Sequence, residues 1–200
     1  MKILATSALA IAAVLFAGSA QAQAPAQQPA VQHGAPIAGL CALNLQGVFA
    51  RSTAGQGLNA RLQELQQEVA GELAPYQQTI AAEEQALSSS GSSLPEAEAQ
   101  QRVQALQQRF AEFQQLRQTR LQELEYTEFM QRRTLGQAVD PIVAAVYQER
   151  GCSILLNRAE VFYLNPQMEI SELVLQRLNQ QFPSLPAFNR MPVPAQQQQQ

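Results

Sequence analysis

The dominant pattern along the chain is a narrow apolar stripe at helical spacing. Leu58, Leu62, Leu65, Val69, Leu73, Tyr76, Ile80 and Leu87 follow one another at intervals of 4, 3, 4, 4, 3, 4 and 7 residues. Gln, Glu and Ala fill the positions between them, residues that favour helix and tolerate water. One narrow stripe on a long helix predicts a coiled-coil seam. Pro75 interrupts the stripe and is expected to kink the helix, and Ser52 or Thr53 is placed to cap its start. The run Ser88-Ser89-Ser90-Gly91-Ser92-Ser93 reads as a turn. Ser93 and Glu96 then have the spacing of a capping box, and a second stripe follows through Val103, Leu106, Phe110, Phe113, Leu121 and Leu124. Leu116 fits that stripe poorly, and Arg117 occupies one of its positions.

The flanks of this hairpin read differently. Ile37 to Leu45 alternates as a strand of small and apolar residues. After Gly136 the apolar face widens through Val139, Ile142, Val143 and Val146, which implies burial against more than one helix. Asp140-Pro141 is a candidate break, and Gly151 a candidate helix stop. Cys152–Leu156 and Val161–Leu164 read as two further strands. Ser171 can cap a last helix whose apolar face holds Leu173, Val174 and Leu178. The predicted fold is α+β: a long helical hairpin attached to a small β head. An arm of about 36 residues reaches roughly 54 Å, and so few head residues make an uncomfortably small core. The head is therefore expected to oligomerise.

The termini have their own character. Lys2, an apolar run from Ile3 to about Phe16 and Ala20-Gln21-Ala22 make a secretory signal peptide. Leu40 precedes Cys41 far beyond that run, which argues against a lipoprotein. The expected domains are 1–22 signal peptide, 23–36 disordered linker, 37–50 first head strand, and 51–135 arm with its tip near 88–93. Residues 136–182 hold the head helix, strands two and three and the final helix; 183–200 are expected to be a disordered Pro/Gln-rich tail. No other segment approaches a membrane span.

Composition narrows the chemistry. Of 200 residues 14% are charged, and the net charge is −3. Gln takes the place of the missing charges, at 34 residues. Lys2 is the only Lys, so cleavage leaves twelve Arg against sixteen Asp and Glu, 12 − 16 = −4. That balance argues against nucleic-acid binding, which needs a basic stripe. The lone His33 lies in a Pro/Ala/Gln stretch, so no triad or His-based metal site is available. The glycines lack the GK[ST] ending of a phosphate loop, and the acidic row Glu64, Glu68 and Glu72 resembles a helix surface, not a general acid/base pair. No enzyme activity and no cofactor are expected.

Cys41 lies in the first strand and Cys152 opens the second strand of one small sheet, in a chain bound for an oxidising compartment. They lack the CxxC spacing of a redox site. A disulfide between them and a pair of buried thiols both fit; the closed loop would stabilise by about 4–5 kcal/mol on the chain-entropy model.

Two groups of residues carry a family resemblance. The first is Asn44-Leu45-Gln46-Gly47-Val48-Phe49 with Ser52 and Ala54-Gly55-Gln56. The second is Leu155-Leu156-Asn157, Val161, Tyr163, Pro166, Glu169-Ile170-Ser171 and Leu178-Asn179. Over residues 37–180 the chain resembles the Skp/OmpH family of periplasmic chaperones. Asn44 and Asn157 stand where that family tends to carry Asp. The resemblance implies a jellyfish-like homotrimer: strands of three chains form the head, and three hairpins surround a cavity that holds unfolded outer-membrane proteins without ATP. The best-known members are basic and rich in Lys. The acidic charge here implies weak or no lipopolysaccharide binding.

Client contact would then use arm residues that face away from the seam. Leu94 at the tip and Leu116 are the apolar candidates, with Tyr76 a further one beside the Pro75 kink although its stripe position favours packing; Arg109, Arg117 and Arg120 are the cationic ones. Helical hairpins also serve as periplasmic scaffolds or export-channel adaptors, the alternative reading. Such adaptors usually carry a lipoyl-like domain, for which no residues remain.

Overall fold

The computed structural model describes residues 31–90 and 93–194. The predicted signal peptide, the start of the linker and the end of the tail lie outside the described residues. Six elements follow in order: β1 (Leu40–Leu43), α1 (Leu45–Arg51), α2 (Thr53–Ser90), α3 (Glu96–Glu149), β2 (Ile154–Asn157) and α4 (Ser171–Gln181). At about 1.5 Å per residue, α2 is roughly 57 Å long and α3 roughly 81 Å. They form an antiparallel arm, with α2 running out to the Ser-rich tip and α3 returning past the base of the arm into the head.

The arm follows the stripe in outline and departs from it in detail. Leu58, Leu62, Leu65, Val69, Leu73 and Ile80 are buried on α2, and Phe113 is buried opposite them with Leu106, Leu116 and Leu124 partly covered. Val103, Phe110 and Leu121, predicted for the seam, are exposed. Two helices cover only a narrow strip of each other, so residues at the edge of a broad stripe are left outside. Pro75 and Pro141 lie inside continuous helices. The predicted break at Asp140-Pro141 does not occur, because Val139, Ile142 and Val146 are fully packed on both sides of it. The capping box is absent too: Pro95 is the N-cap of α3, and the Ser93 hydroxyl donates to the Ser90 carbonyl.

The head packs α1, α4 and the end of α3 around a two-stranded parallel sheet, Leu40 opposite Ile154 through Leu43 opposite Asn157. Its first strand is shorter than the predicted 37–50. Asn44 ends it by accepting from the Gly47 N–H at 2.8 Å, and that cap starts α1. The Ser52 hydroxyl then accepts from the Gly55 N–H at 3.0 Å and starts α2. A Cβ on Gly55 would lie 1.8 Å from the Phe49 carbonyl oxygen, so the close approach of α1 to α2 needs glycine there. Gly151 follows the α3 C-cap with φ +63°, the left-handed conformation that ends a helix.

The third predicted strand is not formed. Asn157 accepts from the Ala159 N–H and turns the chain into a 3-10 turn, Arg158–Glu160. The Arg158 guanidinium then takes the Val161 carbonyl, an acceptor a strand would need. The free side of β1 is met instead by Glu169 and Ile170, whose N–H donates to the Ala42 carbonyl at 2.9 Å. Ser171 is the first residue of α4, not its cap; its hydroxyl accepts from the Asn44 N–H at 2.8 Å.

Cys41 and Cys152 are joined by a disulfide across the head, Cα to Cα 5.7 Å, and close a loop with a sequence separation of 111 residues. Reduction should lower stability by about 4–5 kcal/mol on the chain-entropy model, read as a fall in thermal midpoint between oxidised and reduced protein. An unchanged midpoint would show that the head holds without the bond.

The two glycines at the start of α2 give opposite expectations. Gly55→Ala should destabilise by about 3 kcal/mol, because backbone cannot give way as a side chain does. A Cβ on Gly57 meets nothing within 4 Å. Gly57→Ala should therefore stabilise by about 0.5–1 kcal/mol through helix propensity. Chemical denaturation of the two variants measures both.

Candidate interaction faces of the arm

The tail is the largest departure from expectation. Residues 183–194 do not lead away from the molecule; they lie along one side of the arm. Leu185 and Phe188 pack on Leu58, Leu62 and Leu65 of α2, beside Leu124 of α3. Prolines at 183, 186, 192 and 194 keep the segment extended, and the spacing of its apolar residues matches neither helix nor strand. A composition-based reading therefore takes it for disorder, although it has a partner surface.

Charge fixes the far end of this strap. Arg190 reaches Glu72 of α2 at 2.7 Å and Glu123 of α3 at 2.9 Å, and Arg120 bonds the same two carboxylates at 2.8 and 3.0 Å. Two guanidiniums and two carboxylates thus alternate across the arm. The Arg190 hydrogen bond and charge hold the Glu72 carboxyl below its ordinary pKa, against the opposing effect of desolvation. Nearer the head, Arg61 binds Glu64 and Glu68, both at 2.9 Å, and donates to the Phe188 carbonyl at 3.3 Å and to Asn189 Oδ1 at 3.0 Å. Of the row Glu64, Glu68 and Glu72, Glu72 binds Arg190 of the strap directly, while Glu64 and Glu68 hold Arg61, which binds the strap at Phe188 and Asn189. The signal was present in the sequence: Arg190 is the only charged residue after Arg177.

The other side of the arm is open. A groove of about 710 Å³ runs between the helices there, lined by Leu62, Val69 and Leu73 of α2 and by Arg117, Leu121 and Leu124 of α3. Gln66, Gln77, Glu125 and Glu128 form its polar rim. A second groove of about 330 Å³ further out joins Pro75, Tyr76, Thr79 and Ile80 to Arg109 and Glu112.

The candidate contact residues separate on this geometry. Tyr76 is 49% exposed and shares the outer groove with Arg109. Arg117 lines the larger groove beside Leu121, which is 53% exposed. Leu94 is half-buried at the tip. Two candidates do not fit. Leu116 packs against the seam cluster of Val69, Leu73, Ile80 and Phe113, so it is not an outward residue. Arg120 is occupied by Glu72 and Glu123 beside the strap. Leu121 has seam spacing in the sequence, yet it lines the open groove. Among the described residues no cluster of His, Cys, Asp and Glu is arranged to hold a metal.

The ion-pair cluster is expected to make the docking of the strap pH-dependent. Glu72 has a folded pKa below its unfolded value, so its contribution is fully present above the ordinary carboxylate range. It is lost as pH falls through the lower, folded value. Arg190→Ala should cost about 1–2 kcal/mol, discounted for partial exposure. It should also flatten the fall in thermal midpoint of the wild type between neutral and acidic pH. Melting curves of both proteins across that range check the sign.

Comparison with known proteins places the chain. The model of the OmpH-like outer membrane protein family matches residues 39–178. Among solved structures, the crystal structure of an OmpH-like protein from Caulobacter crescentus, assigned as an outer membrane chaperone, superposes with a TM-score of 0.73. It is 28% identical, and the match covers 83% of this chain and 97% of that one. No curated protein matches at a significant level. The matched span includes the whole arm, the capped start of α1 and α2, the disulfide and α4 as far as Leu178: this chain belongs to the OmpH-like family.

Proposed function

We propose that this protein is an ATP-independent holdase chaperone of the periplasm. It binds unfolded outer-membrane proteins between the arms of a homotrimer and prevents their aggregation. The observation that carries this reading is the open face of the arm, an apolar groove between α2 and α3 rimmed by Gln, Glu and Arg. An unfolded barrel strand presents alternating apolar side chains and unpaired backbone groups. Leu121 and Tyr76, both about half-exposed, meet the former. Gln side chains, which donate and accept, meet the latter. Each contact is weak, and three arms acting together provide avidity.

The head supports assembly. Phe162 is 95% exposed and Tyr163 72%, with Ile37 and Ile154 exposed as well. Aromatic residues this open are a surface that other copies of the chain would cover. The acidic charge favours a client recognised by shape and apolar pattern over an anionic lipid surface, and lipopolysaccharide binding is weak or absent on this reading. Export by the N-terminal signal places the protein with its clients. The holding cycle includes no covalent step.

Light scattering of a urea-unfolded barrel protein diluted into buffer tests the proposal. The wild type should suppress aggregation. Tyr76→Ser with Leu121→Gln should raise the half-effective concentration about tenfold or more, because each lost apolar contact is worth about 1–2 kcal/mol. Both residues are half-exposed, so the fold should tolerate the change. Sedimentation equilibrium should give a trimer for both proteins. A stable monomer at micromolar concentration, or full protection by the double variant, would overturn the reading and favour a scaffold role.

A further inference from the structure

We propose that residues 185–191 are a displaceable occupant of a second peptide groove, on the strap side of the arm. This groove takes an extended segment with two apolar side chains three residues apart, followed by a cation. The tail closes it in cis until a competing unfolded segment enters. The identity of that competitor rests on the holdase reading; the groove itself does not.

The contacts are those of a peptide site. Apolar recognition comes from Leu58, Leu62, Leu65 and Leu124 beneath Leu185 and Phe188. Main-chain recognition comes from both directions. Arg61 Nε donates to the Phe188 carbonyl at 3.3 Å, and the Met191 N–H donates to Thr127 Oγ1 at 2.8 Å. Binding a carbonyl and an N–H of the visitor holds extended backbone whatever its side chains. Glu72 and Glu123 then form an acidic slot for one cationic group.

The strap is also held in a way that allows it to leave. No residue from 183 to 194 is buried, although Leu58 and Leu65 beneath it are 1% and 0% exposed. It adds no strand to a sheet, so no backbone ladder must break. Among the described residues the buried Arg190 Nη1 atom has no hydrogen-bond partner in the closed state, which weakens that state. The segment follows α4 directly, and tethering raises its local concentration. A short, proline-stiffened segment then closes the groove with modest contacts. Once lifted, it uncovers apolar floor between Arg61 and the acidic pair, the same chemistry as the open groove on the opposite side.

The test uses the full-length chain and a fluorescent synthetic peptide with the sequence of residues 183–194. Phe188→Ser with Arg190→Glu removes one apolar anchor and sets a carboxylate against Glu72 and Glu123, releasing the strap. With circular dichroism and sedimentation unchanged, this variant should bind the peptide at least tenfold more tightly than the wild type. A peptide carrying the Arg190→Glu change should not bind. Equal capture of the peptide by the folded variant and the wild type would overturn the proposal. Should the variant not fold, hydrogen exchange in the wild type decides: a urea-unfolded barrel protein should deprotect the Met191 amide. Protection that persists while aggregation is suppressed overturns displacement. Failure of the wild type to suppress aggregation counts against the holdase reading alone; the groove is then decided by peptide capture with Phe188→Ser alone, whose equality with the wild type overturns the proposal.

Discussion

Two α-helices packed against each other have no interior. Each covers a strip of its neighbour, and everything beside that strip is surface. The arm obeys this constraint along its length: the seam takes Val69, Leu73, Ile80 and Phe113, and apolar residues one step to the side, such as Leu121 and Phe110, face outward. An amphipathic helix in a globular domain would bury them. Among the described residues they stay exposed, at 49% for Phe110 and 53% for Leu121.

The chain treats the two sides of the arm differently. One side is covered near the base by the strap, which ties α2 to α3 through Arg190, Glu72 and Glu123. The other keeps its groove open. Ion pairs at a surface contribute little singly. This cluster alternates sign over four side chains, and Glu123 and Arg190 keep only 13% and 18% of their side-chain surface. Its role is placement: it fixes Arg190 at Glu123 and at Glu72, three residues before Pro75 on α2.

The head answers a different need. Two four-residue strands make little sheet, so the ends of the hairpin are held by local devices. Asn44 and Ser52 cap successive helices, Gly55 permits their close approach, and the disulfide joins the strand before them to the turn after α3. The Asn residues at 44 and 157 each use a side-chain oxygen as an acceptor. Asp would supply the same atom, which is why the exchange leaves the turns intact.

The sequence by itself determined the architecture: stripe spacing makes two long helices, the Ser/Gly run makes a tip, and the apolar face widens where α3 enters the head. It also marked the family, through residues at caps and turns whose roles are local. Three features were decided only by tertiary structure. Val161–Leu164 alternates like a strand but finds no free edge, since Glu169 and Ile170 already meet β1. Leu116 and Leu121 exchange their expected places, because a helix pair selects its seam to within one residue and spacing does not. The tail reads as disorder because its apolar residues have no period. Its order comes from the acidic row and leucines of α2, more than 100 residues earlier, a match between distant surfaces that no local pattern encodes.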